Sequence, residues 1–332
     1  MDSSEPGSTP LERISVGRLS SPWSTPRAMK HRHEIIRPTT FVEAPRLGRH
    51  LAIDVTLASE TFQVSGSFKF RGAYNVAAGV PHRQIIAASS GNFGQALACA
   101  CSMLGKRCTV VMPANAAHVK IESVREFGGE VDLVDTSKTT RKQRVLELAR
   151  QFPDAYIASA FDDPLVIAGN ASLGREIAQS GRKFDFVIAP LGGGGLTAGI
   201  VQGLRECGSP AKVIAAEPLM ANDGACSLRA GRIIANESEP PTIADGARTL
   251  SIGEHNWAIL QHGLDRVVEV PEADIKEGVC LLFTHANLKA EPTGALAIGA
   301  LLAANADFHR RSVCCVISGG NVDPALYREL LA

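Results

Sequence analysis

The stretch IIAASSGNFGQALACACSMLG, residues 85–105, changes its pattern at a single turn. Its first four residues, Ile85 to Ala88, are uniformly apolar, as in a strand buried on both faces. From Asn92 onward small and apolar residues run on without proline, as in a helix that covers such a strand. Ser89, Ser90 and Gly91 lie between, with hydroxyls placed to cap the helix. The switch recurs downstream: CTVVMP (108–113) precedes AAHVKIESVREFG, VDLVD (131–135) precedes KTTRKQRVLELARQF, and AYIAS (155–159) closes the group. Repeated strand-helix-strand units imply a parallel sheet flanked by helices, because parallel strands need a long crossover. FDFVIAP (184–190), VIAAEP (213–218) and VCCVIS (313–318) restart the pattern, which predicts a second parallel sheet and a two-domain α/β fold. No internal repeat or low-complexity tract interrupts it.

Composition narrows the class. A chain of 332 residues holds about two domains at roughly 100–200 residues each. Lys plus Arg and Asp plus Glu both total 34, so the positive field expected of a binder of nucleic acid or anionic membrane is missing. There is no apolar run of about 18 residues and no apolar signal core, and a cytoplasmic protein is expected. Cys99, Cys101, Cys108, Cys207, Cys226, Cys280, Cys314 and Cys315 show no CxxC pairing and read as reduced core thiols. Cys99 and Cys101 have no second pair nearby to complete a metal site. Residues 1–28, rich in Ser, Pro and Gly, read as a flexible tail or an arm on a partner subunit.

Parallel strands direct backbone amides and helix N-termini to one crevice at their carboxyl ends, where ligands bind. Three loops fall there. LGGGGLTAGI (191–200) sets four glycines before a helix, so free N–H groups and a positive helix end can cup a phosphate. It lacks the Lys-Ser/Thr ending of a nucleotide P-loop, and a tight packing turn is its simpler reading. SSGNFGQALA (89–98) offers amides and Asn92 to a carboxylate or hydroxyl, or is only a capped turn. ISGGNVDP (317–324) puts Ser318 at a buried strand tip as a neutral hydrogen-bond partner, or simply ends the strand. A fourth segment, SGSFKFRGA (65–73), encloses Lys69 between Phe68 and Phe70. A lysine kept dry loses its proton and becomes a nucleophile and base, whereas a surface lysine would have no reason for that company.

These four segments together resemble fold type II pyridoxal phosphate enzymes, the tryptophan synthase β superfamily, and within it the threonine/serine dehydratase and serine racemase branch. The resemblance runs from RPTTF at residue 37 to residue 324. It implies that Lys69 forms the Schiff base with pyridoxal 5'-phosphate and that Phe68 packs beneath the ring. It implies further that Asn92 bonds the 3′-oxygen, that Gly192, Gly193, Gly194, Gly195 and Leu196 cradle the phosphate, and that Ser318 faces the pyridine nitrogen. A neutral serine there favours expulsion of a β-leaving group over a long-lived carbanion. Ser89, Ser90, Gly91, Asn92 and Phe93 form the implied substrate loop. Ser90 matches the serine opposite the lysine in the racemase branch, where a second proton carrier is needed. Glu291, in EPTGALA, falls near the ring, and Arg141 near the mouth, although a solvated helix arginine also accounts for the latter. AAEPLMAND (215–223) matches a divalent-cation site, with Glu217, the Ala221 carbonyl and Asp223 as hard ligands for Mg²⁺, Ca²⁺ or Mn²⁺; an acidic turn is the alternative.

Two departures stand out. Phe93 replaces the histidine of the SSGNH pattern, adding apolar bulk beside the substrate loop. Asn170, in VIAGNASLG, stands where relatives carry glutamine and reads as a helix cap. Domains are expected at 29–81 with 160–332 (large, cofactor-binding) and 82–159 (small), in a homodimer without allosteric feedback control. The expected reaction is dehydration of a threonine- or serine-type β-hydroxy-α-amino acid to a 2-oxo acid and ammonia. Racemisation, or dehydration or β-replacement of a specialised hydroxy amino acid, is the alternative within the class. Outside it stand a non-catalytic amino-acid binder and a nucleotide-binding protein.

Overall fold

The computed structural model describes residues 35–89, 91–116 and 118–332. The tail 1–28 and Ser90 lie outside the described residues. Among the described residues ten strands form: β1 Thr40–Glu43, β2 Asp54–Ser59, β3 Gln84–Ala88, β4 Arg107–Pro113, β5 Glu130–Val134, β6 Tyr156–Ala158, β7 Phe186–Pro190, β8 Lys212–Pro218, β9 Leu264–Val270 and β10 Ser312–Ile317. They make a six-stranded sheet, ordered β1-β2-β10-β7-β8-β9, and a four-stranded one, ordered β5-β4-β3-β6. Every pairing is parallel except β1 with β2. The parallel two-sheet reading therefore holds.

The chain leaves the larger sheet after β2, builds the smaller one, and returns to insert β10 between β2 and β7. Val313 of β10 pairs with Val55 on one side and Phe186 on the other. Being central, β10 is covered on both faces, and Val313 to Ile317 are fully buried. Each such aliphatic side chain contributes about 1.5–3 kcal/mol by leaving water. Because β2, β10 and β7 run parallel, the segments after Ser59, Ile317 and Pro190 emerge at one edge. In the smaller sheet the neighbours β3 and β6 likewise bring the turns at residues 89 and 159 together.

The sequence pattern passed over β1, β2 and β9. β1 is four residues long, and β9, LDRVVEV, is an edge strand whose charges interrupt any apolar run. Such charges keep an exposed edge from pairing with another chain. The helix Lys69–Gly79 lays Phe70, Ala73, Val76 and Ala77 into the apolar cluster of the smaller sheet. All eight cysteines are free thiols, five of them buried, in keeping with a packing role. Among the described residues no helix is long and apolar enough to cross a membrane.

Asn170 is not a cap. It sits inside the helix Pro164–Ala178, whose N-cap is Asp163, accepting from the Leu165 N–H at 2.7 Å with Pro164 at the first turn. Proline suits that position because it lacks an N–H that would go unpaired there.

Candidate active site

The segment after β2 is stitched to the loop after β10. Phe68 N–H donates to Ser318 O at 2.9 Å, Gly320 N–H to Gly66 O at 3.0 Å, and Ser67 bridges Gly319. This places Lys69, at the start of its helix, beside buried Ser318. Lys69 Nζ donates to the Ala160 carbonyl at 2.8 Å, just past β6. It also lies 5.0 Å from the centre of the Phe68 ring and 5.9 Å from that of Phe93. Burial lowers its pKa from 10.5 to about 8, although the Glu291 carboxylate pulls the other way. A neutral amine, the form a nucleophile requires, is thus far more accessible near physiological pH than for an ordinary lysine.

Glu291 is buried at the head of the helix Pro292–Ala303. Burial raises its pKa to about 8; Asp245 adds to the rise, and the hydrogen bond from Asn92, Lys120 and Lys69 oppose it. Asn92 Nδ2 donates to Glu291 Oε1 at 2.7 Å, and Asn92 Oδ1 accepts from Asn321 Nδ2 at 2.8 Å. Asn92 therefore ties the loop after β3 to the loops around β10. Ser89 Oγ is occupied by local bonds, accepting from the N–H groups of Gly94 at 3.0 Å and Gly91 at 3.4 Å. Gly91 holds the N-cap position of the helix after β3, and Ser89 satisfies one first-turn N–H from outside it. The Phe93 side chain is 2% exposed and joins the apolar cluster of the smaller sheet, so its bulk packs inward.

The glycine loop links β7 to the helix Gly195–Glu206. Gly192 and Gly194 adopt positive φ, 51° and 95°, where a side chain would be strained. A Cβ on Gly193 would fall 2.4 Å from the Phe161 ring, so that ring fixes the loop's near wall. Among the described residues, the N–H groups of Gly192, Gly193 and Gly195 meet no backbone acceptor. Three unpaired donors at the start of a 12-residue helix form an anion seat without a cation.

Glu217 caps the short helix Asp223–Ala230, accepting from Ala225 N–H at 2.7 Å and Gly224 N–H at 3.2 Å. Asp223 Oδ1 accepts from Asn236 Nδ2 at 2.9 Å, while its buried Oδ2 has no partner. Burial raises Glu217 to about 8 and Asp223 to about 6. Ala221 is buried in the turn between them. Among the described residues no three His, Cys, Asp or Glu side chains converge. Arg141 heads the helix Arg141–Gln151 after β5, which packs Val145 and Leu148 against Ile86 of β3 and Val111 of β4.

Several groups at the site have contacts that the sequence reading did not anticipate. Asn256 and Asn170, both buried, donate to carbonyls of the glycine loop, at Gly193 and Gly195. Lys120 pairs with Asp245, an ion pair that joins residues 82–159 to the rest of the chain. Two residues beyond Lys69, Arg71 is fully buried and bonds Glu60 and Glu176.

Comparison with known proteins agrees with this geometry. The family model for "Pyridoxal-phosphate dependent enzyme" matches residues 33–319. An L-threo-3-hydroxyaspartate ammonia-lyase of Pseudomonas sp. is 31% identical, over 95% of this chain and 99% of that one. A serine racemase of Schizosaccharomyces pombe is also 31% identical, over 89% and 92%. The crystal structure of a threonine deaminase from T.th. superposes with a TM-score of 0.82 at 36% identity, covering 87% of this chain and 94% of that one. With a lysine amine, an anion cup and a buried serine on one edge, and a family match across most of its length, the chain belongs to the pyridoxal-phosphate dependent enzymes.

Proposed function

We propose that the protein is an ammonia-lyase that dehydrates a β-hydroxy-α-amino acid to a 2-oxo acid and ammonia. The carrying observation is the Lys69 amine, its pKa lowered to about 8 where the loops after β2, β6 and β10 meet. Relatives named as ammonia-lyases for L-threo-3-hydroxyaspartate and for threonine support elimination as the reaction type. Pyridoxal phosphate fits these residues, because the unpaired N–H groups of the glycine loop suit a phosphate ester and Lys69 suits an aldehyde.

When bound, the cofactor supplies an electron sink that acidifies the substrate Cα–H. The residues divide the remaining work. The free main-chain N–H groups of the Gly192–Leu196 stretch would hold the phosphate. Phe68 and buried Phe93 line the half-buried lysine, and this partly apolar setting eases loss of its proton. Lys69 Nζ then takes the Cα proton, a role worth about 10²–10⁴-fold for a positioned base. Ser318, uncharged, would bond the ring nitrogen without forcing it to carry a proton. Asn92 and Glu291 form a neutral-leaning pair beside the ring, with the carboxyl half-protonated near pH 8. The amides after Ser89 receive the substrate carboxylate.

The same reading assigns residues 82–159 to a small domain and 29–81 with 160–332 to a large one, with the cofactor between them. It makes the protein a cytoplasmic homodimer; a monomeric mass in sedimentation would remove the dimer. Glu217, Asp223 and the Ala221 carbonyl fit a hard divalent cation, since Asp223 Oδ2 is buried without a partner. Millimolar Mg²⁺ or Ca²⁺ should then raise the melting temperature of the wild type and not that of Asp223→Asn. An equal response of both proteins removes the cation.

Threonine, serine and 3-hydroxyaspartate should be assayed together for oxo-acid release and, by chiral chromatography, for D-amino acid. Oxo acid from at least one of them is expected. D-amino acid accumulating faster would turn the reading to racemisation, which relatives named serine racemase also support.

A further inference from the structure

Four consecutive glycines permit either orientation of each peptide plane at little steric cost, so something outside the loop must choose one. A phosphate requires N–H groups forward and carbonyls back. Two buried carboxamides meet the carbonyls from behind. Asn256, on the helix Glu254–Leu260, donates through Nδ2 to Gly193 O at 2.7 Å and to Phe161 O at 3.2 Å. Asn170 donates through Nδ2 to Gly195 O at 3.0 Å. Each has its Oδ1 buried and unpartnered, so each is present for its donor alone. An unpaired buried acceptor is costly, and a residue kept despite it serves another end.

We propose that Asn256, seconded by Asn170, is a positioning residue that fixes the glycine loop in its anion-accepting orientation and couples it to Lys69. In a trans peptide the C=O and the following N–H point oppositely. Holding Gly195 O back therefore turns the Leu196 N–H forward. Holding Gly193 O fixes the middle of the loop, where the Gly253 N–H adds a second bond at 3.1 Å. The coupling runs through Phe161. Its carbonyl shares the Asn256 amide, its ring walls Gly193, and its neighbour Ala160 accepts from Lys69 Nζ. Asp162, next in line, accepts from the N–H groups of Glu254 at 3.0 Å and His255 at 2.9 Å, which locks the helix carrying Asn256 to the same segment.

The inference rests on the cofactor site described above. Its test compares pyridoxal phosphate with pyridoxal, which lacks the phosphate, on the full-length protein after removal of bound cofactor. In Asn256→Ala, affinity for pyridoxal phosphate should fall roughly 10–100-fold, as for a lost buried bond, with affinity for pyridoxal changed less than about threefold. Asn256→Asp should lose more at pH 8, where a carboxylate cannot donate, and recover as acid protonates it, relative to wild type at each pH. Should Asn256→Ala not fold, Asn170→Ser carries the same comparison through Gly195. Equal losses for the two ligands, or no loss, overturn the proposal. A wild type that binds neither ligand overturns it together with the cofactor site.

Discussion

Lys69→Ala is expected to abolish ammonia release, by at least about 10³-fold, while leaving the protein as stable as the wild type or more so. The two halves of this expectation have one cause. Burial disfavours the charged amine, as its pKa of about 8 shows, so folding gains little from keeping Lys69. The apolar walls of Phe68 and Phe93 remain to fill the space. The wild type, treated with borohydride and digested, should yield a pyridoxyl adduct on the peptide containing Lys69, and the variant should yield none. An adduct elsewhere, or a variant retaining a tenth of the activity, would take the proton-transfer role from this residue.

Arg71→Met should instead unfold the protein readily. Arg71 Nε donates to Glu60 Oε2 at 2.7 Å, and its terminal nitrogens reach Glu60 Oε1 at 2.9 Å, Glu176 at 2.7 and 2.8 Å, Ser172 at 2.8 Å and Thr39 at 2.8 Å. Arg71 and Glu60 are fully buried. Removing the cation strands the Glu60 carboxylate, at a cost of about 3–5 kcal/mol. Glu176 is 29% exposed and can turn to water, so it adds little. Lysine offers no planar fork and should restore only part. In denaturant melts, Arg71→Met with Glu60→Gln should be more stable than Arg71→Met alone, because the stranded charge is gone. A loss below about 1 kcal/mol in Arg71→Met would show that the pocket hydrates.

Much of the architecture was legible because parallel strands buried on both faces leave unbroken apolar runs, as in FVIAP and VCCVI. Of the strands that escaped notice, β1 and β9 lie at sheet edges, where exposure mixes charge into the pattern, whereas β2 is internal. Lys69 and the four glycines were conspicuous since a cation among apolar residues and a glycine run are both costly unless used. Asn256 was not, because a polar residue in a helical stretch ordinarily marks a solvent-facing side, and Asn170, though singled out, was read as a cap. Asn170 lies 25 residues from its carbonyl and Asn256 lies 63 from its own, and no local pattern encodes that meeting. Ser89 and Asn92 are near neighbours in sequence yet turn apart, one satisfying its own turn and the other reaching Glu291, a difference only the folded chain sets.

Lys120 and Asp245 meet with both side chains more than a third exposed, 37% and 40%, so water and dissolved ions weaken their attraction to about 0–1 kcal/mol. That is comparable to the thermal energy. A clasp this weak between residues 82–159 and the rest of the chain opens at little cost, and it loosens further as ionic strength climbs.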